Sequence, residues 1–521
     1  MQKKILNPRP IALFGVVMLA SLYLVIYLNY FNLRISLLVL AAAIAGIGLI
    51  LLIFVKSKKF RYVVSRISIF GLAIVCAIGC VTLAEIAYGR DNVDYSGKAL
   101  ISGRVADASD LDDRDYLRVV LDDVTISTDQ FSKKLKYKAS IVILCDKASD
   151  DTFMVGKRLD MFGKISFAKL YYKSNNKLTF YYYCHGISCS GYALEENVSV
   201  ADSNLKLTLS ERIKLRAEEL ISRGVDSEYV GLAQGMLFGE KSGLDPQISQ
   251  SFSAAGVSHL LAVSGLHVGF LLSLLLLVAK LVRLKGICKF FVLSGIIIFY
   301  AYLCGFTVSV TRASVMCICS LYASCRYKRY DSLNALAVAL IIVMVINPFS
   351  ITTLGFKLSF GCVLGIILLA PGLSRVFGKI LKPALAKTLA VMVSVQIAII
   401  ALQISEFKNI TFVALVSNFI TIPIASLAYM LLFVTLAISF VMPFMAFSIY
   451  LYQFVMQAAV KFVMIVSKVK ALPLAPWKGT AILSLQLPAM YLSSNYIFGG
   501  GWWRKGVTAA LWLAIVVLLF V

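Results

Sequence analysis

The chain has 521 residues, 60% of them hydrophobic, with a formal net charge of +24 and a mean hydropathy of +0.84. Soluble domains are only about half apolar. Here the excess comes in runs of about 20 residues, which is the length that crosses a bilayer core of about 30 Å. The composition therefore excludes a soluble globular protein. It predicts a polytopic α-helical membrane protein of roughly ten to twelve spans, some of them broken or re-entrant.

The charge is distributed unevenly along the chain. Between Arg90 and Asn204 lie 17 of the 27 acidic residues and 16 of the 51 basic ones, so the rest of the chain carries 35 basic and 10 acidic residues. The tendency of cytoplasmic loops to be rich in Lys and Arg accounts for most of this excess. A path for a polyanionic substrate is the alternative, and charge alone does not establish it.

Basic residues around the first apolar runs predict how the chain enters the membrane. Three of them precede the first run, Ile11 to Leu28, and five more lie between Lys56 and Arg66, after the second run. The first run lacks a small-residue cleavage site, so we expect a retained helix. The N-terminus is then cytoplasmic, residues 1–89 form N-terminal transmembrane helices, and a third span leads outside.

Residues 90–204 are a polar insertion that follows this third span, so we expect them to be extracytoplasmic. Polar and apolar residues alternate there in short runs such as LRVVLDDVTI and RLDMFGKISF, separated by Gly and Asp. Alternation of period two predicts about five or six β-strands. A small β-barrel, OB-like in type, would accommodate them.

An aromatic cluster lies towards the end of this insertion. Aromatic rings in such a domain can stack on nucleic-acid bases, or they can belong to the strand core and the membrane interface. Both interpretations stay open for the cluster, which consists of Tyr171, Tyr172, Phe180, Tyr181, Tyr182 and Tyr183.

Three cysteines lie in the insertion, where a disulfide is permitted outside the cytoplasm. Cys184 and Cys189 are the first choice for a pair, because they are close in sequence and Gly186 can turn the chain between them; Cys145 is the alternative partner of either. Most of the other cysteines lie in apolar runs. With three histidines in all, we predict no metal site and no cofactor.

Residues 205–228 are predicted to contain a basic amphipathic helix from Leu209 to Gly224, with Ser210 as its N-cap and Glu211 in its first turn. It suits a helix lying in the membrane interface, or an ordinary surface helix packed on the fold. Its predicted apolar side consists of Ile213, Ala217, Leu220 and Ile221. The remaining domain, residues 229–521, alternates apolar runs with basic loops.

The stretch from Gly231 to Phe270 has the most unusual composition in the chain. Its glycines Gly231, Gly235 and Gly239 recur every four residues, so on one helix they form a stripe without side chains, where another helix or a ligand can approach. Asp245 and the proline after it predict a helix start. The following polar helix is expected to be re-entrant or cavity-lining.

His259, Val263 and His267 are spaced to share one helical face, and Ser264 and Gly265 interrupt the apolar run. Histidine at membrane depth is costly and is by default a functional-site hypothesis. A hydrogen-bonded structural histidine is the alternative. Ser264 and His267 could also be the nucleophile and base of an intramembrane serine hydrolase, but three residues apart on one helix they would be poorly placed for attack.

Arg312 and Lys357 each lie inside an apolar run, where an unpaired charge costs about 3 kcal/mol or more. Contact with phosphates would offset that cost, as would pairing with Glu85 or Asp331 or snorkelling to an interface. In a later run, Asn418 and Pro423 predict a broken helix of the kind found at transporter sites.

These motifs resemble the ComEC competence proteins, inner-membrane channels for DNA uptake. The most specific match is HLLAVSGLH, His259 to His267, within GEKSGLDPQISQSFSAAGVSHLLAVSGLHVGF. The other matching blocks, in the family's order, are SVTRASVM (309–316), DSLNALAVALIIVMVINP (331–348), GFKLSFGCVLGI (355–366) and SNFITIPIAS (417–426). The insertion lies where the family carries its OB-like domain.

The resemblance implies a channel that passes single-stranded DNA into the cytoplasm during natural transformation, and not an enzyme. In that role the three glycines allow close packing, His259, Ser264 and His267 line the path, and Arg312 and Lys357 face phosphates. The implied partners are membrane lipid, an extracellular DNA receptor, an ATP-driven cytoplasmic translocase and further copies of the chain.

The sequence departs from the family pattern in two places. Family members usually have Gln at the position of Lys357, and many continue into a metallo-β-lactamase-like domain. Three histidines cannot supply such a domain's two-metal site, so strand degradation is expected to need a separate nuclease. A transporter of another anion and an intramembrane hydrolase remain the alternatives.

Overall fold

The computed structural model describes residues 9–27, 38, 40–47, 57–91, 93, 95–110, 116–144, 153–167, 177–202, 207–240, 243–411, 413–439, 449–469, 472–494 and 502–520. The chain folds into two compact units. Leu13–Arg216 with Ile341–Thr353 form the first, called here the barrel unit. Met1–Ala12, Ala217–Leu340 and Leu354–Val521 form the second, the helical unit.

The barrel unit contains a closed ring of five strands. The strands are β1 (Ser96–Asp110), β2 (Tyr116–Ser127), β3 (Ser132–Lys134), β4 (Lys138–Leu144), β5 (Arg158–Phe167) and β6 (Ile187–Asp202). Hydrogen bonding runs in the order β1–β5–β6–β4–β2 and returns to β1, while the short β3 extends β2. The β4–β6 pair is parallel and the other pairs are antiparallel. The predicted small β-barrel is thus confirmed.

Period-two alternation builds this barrel, because successive side chains of a strand point to opposite faces. In β5, Leu159, Met161, Ile165 and Phe167 are buried while the outward residues between them are mostly exposed. Aliphatic side chains of β1, β2 and β4 fill the same interior. The sequence pattern therefore specifies which face of each strand lies inside.

A short helix, α3 (Lys177–His185), precedes β6, after α1 (Pro10–Tyr27) and α2 (Lys58–Gly89). Tyr183 on α3 is 1% exposed, and its ring stacks on Phe349 at 5.0 Å. Asn347 donates its side-chain N–H to the carbonyls of Tyr183 and Cys184 at 3.3 and 3.2 Å. Tyr183 is therefore a core residue and is not available for base stacking, which favours the core alternative for this ring.

The rest of the aromatic cluster divides by position. Tyr181 is 38% exposed and Tyr182 is partly buried. Tyr171, Tyr172 and the side chain of Phe180 lie outside the described residues.

The predicted disulfide between Cys184 and Cys189 is not formed, because both are free thiols. The Cys184 thiol donates to the carbonyl of Phe349 at 3.0 Å, whereas Cys189 is buried in the barrel core. Burial raises the pKa of the Cys189 thiol to about 12, which keeps it protonated and unreactive at neutral pH. Gly186 does turn the chain, with φ at 67°. Cys145 lies outside the described residues.

The predicted amphipathic helix is α4 (Leu209–Ser222). Its cap is Thr208 and not Ser210. The Thr208 hydroxyl accepts the Glu211 N–H at 3.3 Å and the Glu211 carboxylate accepts the Thr208 N–H at 2.7 Å, a reciprocal capping box. Ala217, Leu220 and Ile221 are buried as predicted, while Ile213 is partly exposed.

Glu211 also connects α4 to the barrel. Arg104 on β1 donates to the Glu211 carboxylate at 2.8 Å and to the carboxylate of Asp122 on β2. Burial raises the pKa of Glu211, but its bonds to Arg104 and Thr208 outweigh burial and leave that pKa below its ordinary value. The two carboxylates raise the pKa of Arg104 despite its partial burial.

The helical unit is built mainly from apolar helices. They are α5 (Ser227–Phe238), α6 (Pro246–Ala254), α7 (Gly265–Leu281), α8 (Gly286–Leu303), α9 (Val308–Cys325), α10 (Ser332–Ile346, shared with the barrel unit), α11 (Leu354–Phe377), α12 (Pro383–Leu402), α13 (Ala414–Ser439), α14 (Ile449–Val466), α15 (Pro476–Ser493) and α16 (Trp502–Phe520). One short two-stranded antiparallel sheet pairs β7 (Asn409–Ile410) with β8 (Leu472–Pro473).

Seven helices of the described chain are long and apolar enough to cross a membrane. They are Val63–Gly89, Gly286–Leu303, Val308–Cys325, Leu354–Phe377, Pro383–Phe407, Ala414–Ser439 and Ile449–Val466. Four shorter apolar helices, among them α7 and α10, add to these. The protein is therefore a multi-pass membrane protein by length and hydropathy, and the predicted count of spans stays a prediction.

We predict that Glu211→Gln weakens the connection between α4 and the barrel in a pH-dependent way. A carboxylate with a lowered pKa stabilises the fold above its unfolded pKa of about 4.3, and that stabilisation is lost as the pH falls through the folded value. At pH 7, amide hydrogen exchange in β1 and β2 should be about tenfold faster than in the parent, and the difference should vanish in acid. Glu218→Gln on the same helix is the control, and equal exchange in parent and Glu211→Gln at pH 7 would contradict the prediction.

Candidate functional site

The glycines of α5 let the following loop lie directly against the helix. A β-carbon on Gly231 would overlap the carbonyl of Gly243, and one on Gly235 would lie 2.8 Å from the carbonyl oxygen of Leu261. Gly239 is not part of the same stripe, because it follows the last helical residue and has φ at 83°, where it ends α5. Two of the three predicted glycines therefore allow the backbone of the following loop to lie against α5, and the third ends the helix.

Asp245 caps α6 as predicted. Its carboxylate accepts the N–H groups of Gln247 and Ile248 at 2.6 and 3.1 Å, and Pro246 occupies the first helical position. α6 has nine residues and ends before Gly256, whose φ is 74°. At about 1.5 Å per residue it is too short to cross a bilayer, and its predicted re-entrant character stays a prediction.

The predicted helical face shared by His259, Val263 and His267 is wrong. His259 lies in a single 3₁₀ turn, Ser258–Leu260, Val263 lies in non-helical chain, and only His267 lies in α7. The cause is the pair Ser264 and Gly265: Ser264 is extended, as the residue before a helix must be, and α7 starts at Gly265. His259 is exposed, whereas His267 is fully buried.

His267 contacts the residue before α7 and a tyrosine of α13. Its Nδ1 accepts the Ser264 N–H at 3.1 Å, and its ring stacks on Tyr429 of α13 with centroids 4.5 Å apart. The Tyr429 hydroxyl donates to the Tyr300 hydroxyl at 3.1 Å. The Tyr300 hydroxyl in turn donates to the carbonyl of Leu237 at 2.9 Å. Since Nδ1 accepts a bond, the proton of a neutral ring lies on Nε2.

The His267 Nε2 is buried and has no partner. The arrangement is therefore not a nucleophile and base, because Nδ1 is bound to the backbone and Nε2 does not reach the Ser264 hydroxyl. Groups of three or more His, Cys, Asp or Glu that could hold a metal ion do not occur in the described part of the chain.

Arg312 lies near the start of α9, is 7% exposed, and is surrounded by two other helix beginnings. Its Nη1 donates to the carbonyl of Ser359 on α11. Its Nη2 lies where a β-carbon on Gly265, the first residue of α7, would be. A side chain at position 265 would force the guanidinium to shift from this position. Three helices therefore begin around one buried cation.

The positive charge of Arg312 is not fully compensated by its neighbours. The first turn of a helix carries a partial positive charge, so the amino-terminus of α7 does not neutralise a guanidinium. Within the described residues Arg312 has no carboxylate partner, and its Nε is buried without an acceptor. A buried cation without a counter-charge costs several kcal/mol. An anion would supply the counter-charge that the described side chains lack.

Other buried polar atoms of the helical unit also lack partners. Native proteins leave few such atoms, and each one calls for an explanation such as water or a ligand. The unpartnered side-chain oxygens on α9, α11 and α13 belong to Ser314, Ser359, Ser417, Asn418, Thr421 and Ser439. These helices thus enclose polar groups that their own side chains do not satisfy.

Lys357 is not part of the Arg312 site. It donates to the Glu406 carboxylate at 2.9 Å, and the two side chains are 28% and 39% exposed. Lys357 and Ser359 are two residues apart on α11, so they point in nearly opposite directions. Its partner is a carboxylate in the π-helical turn Gln403–Phe407, and not the predicted Glu85 or Asp331.

Asn418 and Pro423 do not break their span, which is a correction to the predicted broken helix. α13 runs from Ala414 to Ser439 through both residues. A proline inside a helix removes one hydrogen bond, yet the helix can continue beyond it. The polar contribution of this segment comes from Asn418, whose side-chain oxygen is buried without a partner.

Sequence patterns alone could not find the residues that complete these arrangements. The Ser359 carbonyl and the two tyrosines of α8 and α13 belong to apolar runs distant from Arg312 and His267 in sequence. Glu406 was the one available signal, as a lone acid at the end of an apolar run.

Comparison with known proteins identifies a family that the chain matches. Residues 236–505, more than half of the chain, match the sequence model of a family described as competence protein. ComE operon protein 3 of Bacillus subtilis is 27% identical over 199 residues, or 38% of this chain and 25% of that protein. Competence protein ComA of Neisseria gonorrhoeae is 32% identical over 149 residues, or 27% and 21%.

A third relative, Recombination protein 2 of Haemophilus influenzae, is 26% identical over 191 residues, or 35% of this chain and 23% of that protein. The similarity thus spans about a quarter of the length of each of these curated relatives. No solved structure matches the chain.

We predict that Gly231→Ala disrupts the packing of α5, whereas Gly269→Ala on α7 does not. The added methyl at position 231 would collide with backbone that cannot yield, but nothing lies within 4 Å of a β-carbon at position 269. Gly269→Ala should even favour its helix, by about 0.5–1 kcal/mol. Thermal unfolding in detergent compares the two variants, and equal stability would show that the close approach at Gly231 is unimportant.

Proposed function

The chain belongs to the competence protein family, and from this premise we propose that it is a membrane channel that passes single-stranded DNA into the cytoplasm during natural transformation. One observation carries the proposal: Arg312 is buried beside the start of α7, with no described carboxylate to compensate it. A DNA phosphate supplies the anion that this arrangement lacks.

The direction of the helices supports an outer entrance at this site. Basic residues at Lys280–Lys289 and at Arg326–Arg329 mark two cytoplasmic loops. α7 and α9 end at these loops, so both begin on the extracytoplasmic side, and Ser359 lies near the start of the next inward helix, α11. Arg312 then lies within about two turns of the outer surface, where an arriving strand first meets the membrane.

The barrel supports the same direction of transfer. Leaving aside the short β3, its ring order is first, second, third, fifth, fourth strand, with the third and fifth parallel. A five-stranded Greek-key barrel is the OB architecture, which often binds oligonucleotides. We therefore assign residues 90–204 to an extracytoplasmic OB-like domain that precedes the channel. The N-terminus is cytoplasmic in this scheme, with domains at 1–89, 205–228 and 229–521.

The site residues take different roles in this proposal. Arg312 contacts phosphates, Gly265 leaves space for its guanidinium, and His267 fixes α7 against α13. The unpartnered hydroxyls and Asn418 hydrate or contact the strand. His259, which is exposed at the turn before α7, lines the approach. Lys357 holds the turn at Glu406 and is not assigned to phosphate contact.

The driving force for DNA transfer is assigned to partner proteins. The chain has no phosphate-binding GxxxxGK[ST] motif, so an ATP-driven cytoplasmic translocase pulls the strand. A DNA receptor delivers it from outside, and a separate metallo-β-lactamase-like nuclease removes the other strand. Transport, and not an enzymatic reaction, is the proposed role of this chain.

We predict that Arg312→Met lowers the uptake of labelled DNA into a nuclease-resistant state by about tenfold or more, since a phosphate contact worth at least about 1.4 kcal/mol is lost. Arg312→Lys keeps the charge but not the planar fork, so it should retain part of the uptake. Arg326→Met, at the exposed end of the same helix, is the matched control. Equal membrane amounts and melting temperatures are required of all variants.

Normal uptake with Arg312→Met would remove this residue from the path. A transporter of another anion could use Arg312 in the same way. Deleting the gene for the chain distinguishes the two functions, because the channel proposal requires that DNA uptake is then lost. Normal DNA uptake in the deletion strain, together with loss of transport of a small anion, would favour the transporter.

A further inference from the structure

The outer surface of the barrel carries two adjacent rows of side chains with different chemistry. The first consists of basic and aromatic side chains with one valine among them. It follows the strand pairs Lys98–Lys164, Lys164–Tyr192, Tyr192–Val142 and Val142–Arg118 across β1, β5, β6, β4 and β2. We call it the cationic row. Lys98, Lys164 and Tyr192 are exposed, and Arg118 is partly exposed.

The second row, called the apolar row, lies two residues further along each strand. Its pairs are Leu100–Phe162, Leu194–Leu144 and Leu144–Tyr116, and the Phe162 and Leu194 ends adjoin at the β5–β6 bulge. The five side chains are between 40% and 48% exposed. Large apolar side chains in one exposed row are unusual, because a soluble surface normally carries them singly.

The rows on either side define the edges of this surface. Beyond the cationic row the outward positions carry hydroxyls, in the pairs Ser96–Ser166 and Ser140–Ser190. Beyond the apolar row they carry acids, with Asp160 opposite Ser102 and Glu196 exposed in the β6 bulge. A polyanion lying along the surface is attracted to the cationic row on one side of the apolar row, whereas on the other side the acids are followed by the pair Arg104–Arg158.

Arg118 is fixed in place for contact. Its Nη1 donates to the Tyr181 hydroxyl at 2.6 Å and its Nε donates to the Ser140 hydroxyl at 3.0 Å. The guanidinium also lies over the Tyr181 ring, 5.1 Å from its centroid. A preorganised guanidinium loses little side-chain entropy when it binds a phosphate.

We propose that the cationic and apolar rows together form a docking strip for single-stranded nucleic acid, with phosphates on the cationic row and unpaired bases on the apolar row. This proposal rests on the proposed function, and it names a surface that lies outside the helical site. Across five strands at about 4.8 Å spacing the strip is about 19 Å long, enough for a few nucleotides. Duplex DNA hides its base faces and cannot use the apolar row.

The test measures the anisotropy of a fluorescent thymidine oligonucleotide added to the full chain in nanodiscs of zwitterionic lipid, over a series of salt concentrations. Lys164→Gln should weaken binding about threefold to fivefold and reduce the salt slope by about 0.7, the value of one phosphate contact. Phe162→Ser should weaken binding about fivefold or more and leave the slope unchanged, because stacking does not release counterions.

Matched controls exist on the same barrel. Lys138→Gln removes an exposed lysine outside both rows, and Val200→Ser removes an exposed apolar side chain outside them. Both should bind as the parent does. Competition by a duplex of equal length should be much weaker than by the single strand.

Three outcomes would overturn the strip. One is equal loss in Lys164→Gln and Lys138→Gln, which would mean that net charge alone matters. Another is unchanged binding by Phe162→Ser, which would remove the apolar row from the binding surface. The third is equal competition by a base-free polyanion. Failure of the strip leaves the uptake result for Arg312 untouched, and failure at Arg312 leaves the binding result for the strip untouched.

Discussion

Arg312 carries a charge into the helical unit with little water around it, and the neighbouring backbone provides only part of its compensation. The Ser359 carbonyl accepts one N–H, Gly265 gives the guanidinium space, and the start of α7 adds a partial positive charge. Low-dielectric surroundings strengthen any interaction with an anion at this place. The glycine at position 265 and the contact between α9 and α11 at Ser359 both accommodate this cation.

The rest of the helical unit fits around that constraint. Gly231 and Gly235 bring the loop before α7 against α5, and the capping of α7 by Ser264 and His267 fixes where the helix begins. His267 in turn stacks on Tyr429, which bonds to Tyr300. The barrel unit carries exposed cations of its own in the cationic row. Our two proposals assign the buried cation of the helical unit and these exposed cations to the same strand.

Local structure that depends on neighbouring residues could be predicted from the sequence, whereas contacts between distant segments could not. Alternation predicted the barrel, and an aspartate before a proline predicted the start of α6, because both depend on neighbouring residues. The common face of His259 and His267 failed because Ser264 is a cap and starts a new helix. The Cys184–Cys189 pairing failed because α3 directs Cys184 towards Phe349, 165 residues away. The predicted partners of Lys357 failed for the same reason, because helix packing brings Lys357 to Glu406, 49 residues away.

Cross-linking of DNA arrested in transit tests the central claim most directly. A photoreactive diazirine side chain at Ser359, whose carbonyl holds Arg312, is compared with one at Ile298, which is 50% exposed on the apolar surface of α8. A strand stalled part-way by a bulky end group should cross-link to position 359 and not to position 298. Absence of cross-linking at 359 while DNA is demonstrably stalled, or equal yields at both positions, would contradict a path past Arg312.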